Sequence, residues 1–322
     1  MLSTLFSKLA YQIFTMLIAL MYSITPYTAP KTDAPIAPKD PDNVKMYFAA
    51  IADPQVSNYL LQRVPTFDAA CEDLHNAAYP MDAIVTAGDI TENGLSIEYQ
   101  YVYEKLGGIE TKYINAEGNH DIRLRNYEQG LSRFSTFTNQ LNNKKNYDSY
   151  HYTIDVKGYK FIILGADRAE FEESYLTDAQ LEWLDALLTT QAGHPTFVVI
   201  HQPLKGTHGL PGTWGSPLPY AGSVGAQSDK LNAVLQKYTN VMLITGHLHT
   251  GFGQYTYEKN GNLHMINLPS LCVQNKQGEN NDGGLGCMVE CYENEIVFRA
   301  RNFAKGEWLP DFDIHVPVDT AA

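Results

Sequence analysis

Short apolar runs that stop at a polar residue recur along the chain. Residues 46–52 run up to Asp53, residues 82–87 lead into Gly88-Asp89, and residues 112–116 lead into Gly118-Asn119. Continuous rather than alternating hydrophobicity marks strands covered on both faces, as in parallel sheets flanked by helices. Helical spacing occupies the gaps near 67–78 and 97–106, so the first third predicts a β-α-β-α-β rhythm with right-handed crossovers. Residues 150–156 and 159–164 flank Lys157-Gly158 and predict a hairpin opening a second sheet. A helix over 177–188 follows, with Thr177 as N-cap and Leu181, Leu184, Leu187 and Leu188 as its apolar stripe. Strands at 196–200 and 241–245 end at His201 and Gly246-His247, and 254–257, 264–268, 285–291 and 296–301 read as further strands.

Two stretches depart from this rhythm. The apolar run 9–22 follows Lys8; a span across a hydrocarbon core of roughly 30 Å needs about twenty residues, so this run fits the apolar part of an export signal or an uncleaved anchor. The Pro-, Lys- and Asp-rich stretch after it, to Asn43, reads as a linker. The expected organisation is therefore a signal or anchor and linker over 1–43, then one catalytic domain over 44–318. The protein is expected to be exported, either secreted or tethered to a membrane through the N-terminal segment. The second stretch is the Gly-, Pro- and Ser-rich loop between His201 and Leu231, carrying His208, Trp214 and Tyr220; its length predicts a lid.

Charge narrows the partners. Lys and Arg number 23 against 36 Asp and Glu, a formal net charge of -13. Such a field repels duplex nucleic acid at long range and leaves a small phosphorylated substrate, whose charge bound metal ions would meet locally. Cys71, Cys272, Cys287 and Cys291 have neither redox nor zinc-ribbon spacing and read as buried thiols. Gly222-Ser223-Val224-Gly225 lacks the leading glycine of a serine nucleophile elbow, and no Walker loop or dinucleotide fingerprint occurs.

The chemistry sits at the strand ends. Asp53, Asp89, Asn119, His201 and His247 all fall just past apolar runs, where an α/β sheet presents its ligand crevice. Singly, each has an ordinary explanation as a turn residue, a cap or a satisfied histidine. Together they form an oxygen and imidazole donor set suited to manganese, iron, zinc or magnesium. Two such ions about 3.5–4 Å apart can hold a bridging hydroxide and clamp a phosphoryl group for in-line attack.

In order the chain reads Asp53-Pro54-Gln55, Gly88-Asp89-Ile90-Thr91-Glu92-Asn93, Gly118-Asn119-His120-Asp121, His201 and Gly246-His247-Leu248-His249. This series resembles that of the calcineurin-like metallophosphoesterases. The resemblance implies a four-layer α/β/β/α sandwich with two central mixed sheets, and two divalent metal ions. One would be held by Asp53, Gln55, Asp89 and His249, the other by Asp89, Asn119, His201 and His247, with Asp89 bridging. His120 would protonate the leaving oxygen or stabilise its charge, and Glu92 would orient His120. Gln55 stands where most members have histidine, and its amide oxygen is a weaker ligand. Asn93 takes the place of an arginine in the protein phosphatases, marking a substrate-side position and favouring diesters such as cyclic nucleotides. The alternatives are a phosphomonoesterase of the same fold and a non-catalytic scaffold; retention of His120 weighs against the scaffold. Arg123 and Arg125 read as solvated, and His75, His151, His194, His264 and His315 as structural.

Overall fold

The computed structural model describes residues 2–25, 34–123, 126–142, 147–209, 222–274 and 278–319. After helix α1 (Leu2–Ile24), the chain lays down β1 (Met46–Ile51), α2 (Val64–His75), β2 (Ala83–Ala87), α3 (Ser96–Leu106), β3 (Lys112–Ala116), the single turn α4 (Asn119–Ile122) and α5 (Tyr127–Leu141). The middle contributes β4 (Tyr152–Val156), β5 (Tyr159–Ile163), α6 (Asp178–Thr190), β6 (Thr196–Val199), α7 (Ser228–Leu235), β7 (Val241–Thr245), β8 (Tyr257–Asn260) and β9 (Leu263–Asn267). The chain then returns with β10 (Leu285–Cys291), β11 (Glu295–Asn302), β12 (Glu307–Trp308) and β13 (Ile314–Pro317).

One sheet runs β12-β11-β10-β1-β2-β3, with β13 also on β11; the other runs β4-β5-β6-β7-β9-β8. Both are mixed: β1, β2 and β3 are parallel while β10 pairs antiparallel with β1, and β5, β6, β7 and β9 are parallel between antiparallel β4 and β8. The period-2 alternation of strands decides what each face meets. Met46, Phe48 and Ala50 of β1 enter the core between the sheets, where the Phe48 ring lies edge-on to Phe161 and Phe197 at 5.3 and 5.2 Å. Tyr47, Ala49 and Ile51 pack outward with residues of α2, α3 and α5, and Ile162, Val198 and Leu243 pack with the leucines of α6 and α7. The result is the expected α/β/β/α sandwich.

The N-terminal segment is docked to the sandwich. Phe14 and Ile18 of α1 are buried, Phe14 5.3 Å from the Tyr101 ring, while Tyr22 donates to Asp68 and Tyr11 to Glu104. The opposite side exposes Phe6, Leu9, Ile13, Met16, Leu17, Leu20 and Ile24. By length and composition, Phe6–Ile24 suffices to cross a membrane. Residues 34–43, expected as linker, form a strap: Ile36 is 1% exposed, its carbonyl accepts from the Ala78 and Tyr79 amides, and Arg301 and Arg299 donate to the Ala34 and Ala37 carbonyls.

Two local expectations change, and one stretch left open gains an element. Residues 254–256 form a turn, so the strand expected there begins only at Tyr257. α5 fills a stretch without a sequence expectation, and the loop after His201 gives way to α7 at Ser228 rather than running to Leu231. Trp214, Tyr220 and Arg125 lie outside the described residues. All four cysteines are unpaired, three of them buried.

Candidate metal centre

The motif residues sit in turns whose backbone is unusual. Asp53, Gln55, Asp89, His247 and His249 all have positive φ, between 39° and 73°. For non-glycine residues this left-handed region costs about 1–2 kcal/mol each and persists only where surroundings impose it. Hydrogen bonds from Asp53 N to Gly88 O and from Gln55 N to Asp89 O, 3.2 and 2.9 Å, cross-link the turns after β1 and β2. Gly88, at φ +84°, has no alternative, since a Cβ there would overlap the His201 ring.

Asp121 welds the second motif to the third. Its buried carboxylate accepts from the Ile90, Thr91 and Gly118 amides and from the Thr91 and Tyr99 hydroxyls. Burial, together with the nearby Asp89 charge, pushes Asp121 up to about 6.

Within this frame five side chains from both sheets converge. Asp89, His201 and His247 place one donor atom each within 4.8 Å of one another, as do Asp53, Asp89 and His249, so the two groups overlap at Asp89. His201 Nε2 lies 3.2 Å from Asp89 Oδ2, His247 Nδ1 lies 3.2 Å from His201 Nε2, and His249 Nε2 lies 3.0 Å from Asp53 Oδ1. His201 Nδ1 donates to the Ala87 carbonyl at 2.8 Å, which turns Nε2 inward. All five are buried.

The electrostatics calls for a cation. Burial alone would raise the Asp89 pKa, but the His201 and His120 charges hold it well below the usual carboxylate range. Burial opposes a charge on His201, yet Asp89 and Asp53 raise it to about 10, while burial and the neighbouring His201 charge keep His247 neutral, well below its ordinary value. The two buried carboxylates and three imidazoles offer a divalent ion ready donors. Asn119 fits the same demand: its Oδ1 is buried with no hydrogen-bond partner among the described residues, while its Nδ2 is used by Phe171 O and Glu172 Oε2 at 3.2 and 3.1 Å.

The remaining expected residues arrive with differences. Gln55 reaches the cluster, but its Nε2 donates to Asp89 Oδ2 at 2.9 Å while its Oε1 lies 3.5 Å from Arg63 Nη1. The structure therefore turns the amide nitrogen, not the expected ligand oxygen, toward the shared carboxylate. His120 stands at the rim, its backbone N bonded to Asp89 Oδ1 and its Nε2 3.9 Å from Asp89 Oδ2. Burial works against its charged form, but Asp89 and Glu92 outweigh that and raise its pKa, with Arg123 pulling the other way. Glu92 Oε2 is 3.5 Å from His120 Nδ1 and pairs more closely with Arg63. Asn93 donates through Nδ2 to Glu98 Oε1 at 3.1 Å, toward the start of α3.

Three residues beyond the strand-end pattern complete the site. Arg63 links Glu92 to the Gln55 backbone. Arg123, read as solvated, instead donates to Glu172 and to His120 Nδ1 at 2.9 and 3.0 Å. Glu172 lies in the β5–α6 connection, a loop without motif or periodicity, and the exposed Phe171 ring beside it covers the Arg123 guanidinium at 5.0 Å.

Comparison with known proteins agrees with this geometry. A family model described as calcineurin-like phosphoesterase matches residues 46–251. A 3′,5′-cyclic-nucleotide phosphodiesterase of Nostoc sp. is 22% identical, covering 65% of this chain and 70% of its own. A glycerophosphodiester phosphodiesterase of Enterobacter lignolyticus is 24% identical over 74% and 83% of the two chains. A 3′,5′-cyclic adenosine monophosphate phosphodiesterase of Escherichia coli is 24% identical over 66% and 68%. A purple acid phosphatase from yellow lupin seeds shares the fold, with a TM-score of 0.57 at 14% identity over 84% of this chain. This chain covers only 53% of the lupin chain.

Proposed function

The chain belongs to the calcineurin-like phosphoesterase family and is a phosphoric ester hydrolase, and from that premise we propose a phosphodiesterase acting on a small diester. The relatives named for cyclic nucleotides and glycerophosphodiesters support the diester reading. The observation that carries it is the pair of overlapping carboxylate and imidazole groups sharing Asp89 beside His120. We assign Asp53, Asp89 and His249 to one divalent ion and Asp89, Asn119, His201 and His247 to the other, with Gln55 steering Asp89. Bound there, manganese, iron, zinc or magnesium would polarise the phosphoryl group and supply an activated water.

The chain's own groups do the rest. The His247 amide fixes Asp53 through both carboxylate oxygens, at 3.3 and 3.1 Å, so the ligand atoms are held before any ion arrives. His120, with Nε2 on the side of the shared carboxylate, is placed to hand a proton to the leaving alkoxide. The Arg63 and Glu92 pair stands behind it and keeps the Gln55 turn in place. The acidic surface turns long polyanions away and leaves the small diester as substrate.

The test is hydrolysis of bis-p-nitrophenyl phosphate and p-nitrophenyl phosphate with each of the four metals added. Faster turnover of the diester is expected, with Asp89→Asn and His120→Ala each lowering kcat by about 100-fold or more. Faster turnover of the monoester would replace the diester reading with a phosphomonoesterase. No turnover with any metal would leave a scaffold.

A further inference from the structure

The turn at Phe171 and Glu172 reaches two motifs at once, the one holding Asn119 and His120 and the one ending at His201. Asn119 Nδ2 has two hydrogens, and the Phe171 carbonyl and Glu172 Oε2 accept from it at 3.2 and 3.1 Å. Reversing the amide would set its oxygen against a carbonyl and a carboxylate, so this pair dictates that Oδ1 is the end left buried and without a partner among the described residues. The second Glu172 oxygen accepts from Arg123 Nη1 at 2.9 Å, and Arg123 Nη2 reaches His120 Nδ1 at 3.0 Å. A guanidinium can only donate. Arg123 Nη2 and the Glu92 carbonyl, 3.1 Å away, both lie against Nδ1, so that end of the ring is held and Nε2 is left on the side of Asp89. The Glu172 carbonyl is held in turn by Gln202 Nε2 at 3.2 Å, one residue past His201, and Gln202 Oε1 accepts from Ser174 at 2.6 Å.

We propose that Glu172 is a positioning residue for both halves of the reaction: it turns the Asn119 oxygen to the metal site and, through Arg123, holds the His120 ring with Nε2 toward the leaving group. The proposal rests on the metallohydrolase reading above. Glu172 and Arg123 divide the work differently. Glu172 touches Asn119 directly and acts on metal affinity as well as turnover, whereas Arg123 acts on turnover alone.

The experiment measures manganese binding to the metal-free full chain by calorimetry, beside kcat and KM for bis-p-nitrophenyl phosphate, in Glu172→Ala, Glu172→Gln and Arg123→Met. Glu172→Ala is expected to weaken one manganese site by about 10–100-fold and to lower kcat with KM little changed. Arg123→Met lowers kcat and keeps manganese affinity within about twofold of the parent, while Glu172→Gln, which keeps one acceptor of the same shape, recovers part of both losses. Parental manganese affinity and kcat in a folded Glu172→Ala overturn the proposal. So does an Arg123→Met variant that loses metal as Glu172→Ala does. If the parent binds no metal and hydrolyses nothing, the metallohydrolase reading falls by itself. The contact is then decided by thermal unfolding of Glu172→Ala, Asn119→Ala and the double variant, where additive effects reject it and non-additive effects uphold it.

Discussion

His208 shows what burial does to a single imidazole. It is 2% exposed, its Nδ1 donates to the Tyr255 carbonyl, Glu258 accepts from its backbone amide, and its Nε2 has no partner among the described residues. Burial pulls its pKa from 6.5 down to about 4, against the opposing pull of the Tyr255 carbonyl. The fold holds the neutral form, so the stability it contributes is complete above the ordinary pKa and is lost as pH falls through 6.5 toward 4. His208→Gln should make the decline in unfolding free energy from pH 7 to pH 4 shallower by about 3 kcal/mol, read from urea titrations at both values; equal slopes in parent and variant would contradict this. Residues of this kind also mark where the sequence stops being informative. Asp53, Asp89, His201 and His247 can be picked out because strand ends place them. Glu172, Arg63 and Arg123 cannot, because their roles come from partners on distant turns and no periodicity marks those turns. The partner of Asn93 is hidden for the same reason: only the fold reveals that Glu98 accepts from its amide.

Whole elements are easier to read where both faces are buried. The strands β1 and β7 coincide with nearly uninterrupted apolar runs, because a strand covered on both sides is apolar almost throughout. α5 escapes because its polar composition, with Gly130 and several Ser and Thr residues inside, has weak helix propensity, and only Phe134, Phe137 and Leu141 mark its buried stripe. The two-residue β12 and the short β13 carry too few positions for any period to show. Long-range ion pairs are equally hidden. Arg301 on β11 grips Asp73 on α2 through Nε and Nη2 at 2.7 Å each, fully buried. Removing one partner strands the other charge, so Asp73→Ala should destabilise the protein by about 3–5 kcal/mol in denaturant unfolding. Since Arg301 also holds the Ala34 carbonyl, the same variant should loosen the strap. A loss below about 1 kcal/mol would show that the pair is not effectively buried.

Among the described residues, seven of the ten exposed large apolar side chains lie on α1. The exposed side of α1 carries Phe6, Leu9, Ile13, Met16, Leu17, Leu20 and Ile24, while its other side rests on the sandwich. A stripe this continuous on a helix bearing a single charged residue, Lys8, matches a lipid surface. The full chain is expected to co-sediment with neutral phosphatidylcholine vesicles and a chain beginning at Ala34, which keeps the strap, to stay in the supernatant. Equal partitioning of the two would remove the case for a tether.

The position of β1 has a further consequence, for biosynthesis. One of its neighbours, β2, emerges soon after it, but the other, β10, is the tenth strand made, and every metal-site candidate has left the ribosome before β10 appears. Until then β1 presents an open, wholly apolar edge of the kind that recruits other chains. Pairings so far apart in sequence form slowly. The nascent protein therefore carries its whole set of candidate metal-site side chains on a half-built sheet, and the step that closes the sheet is the arrival of a C-terminal segment that contributes none of them.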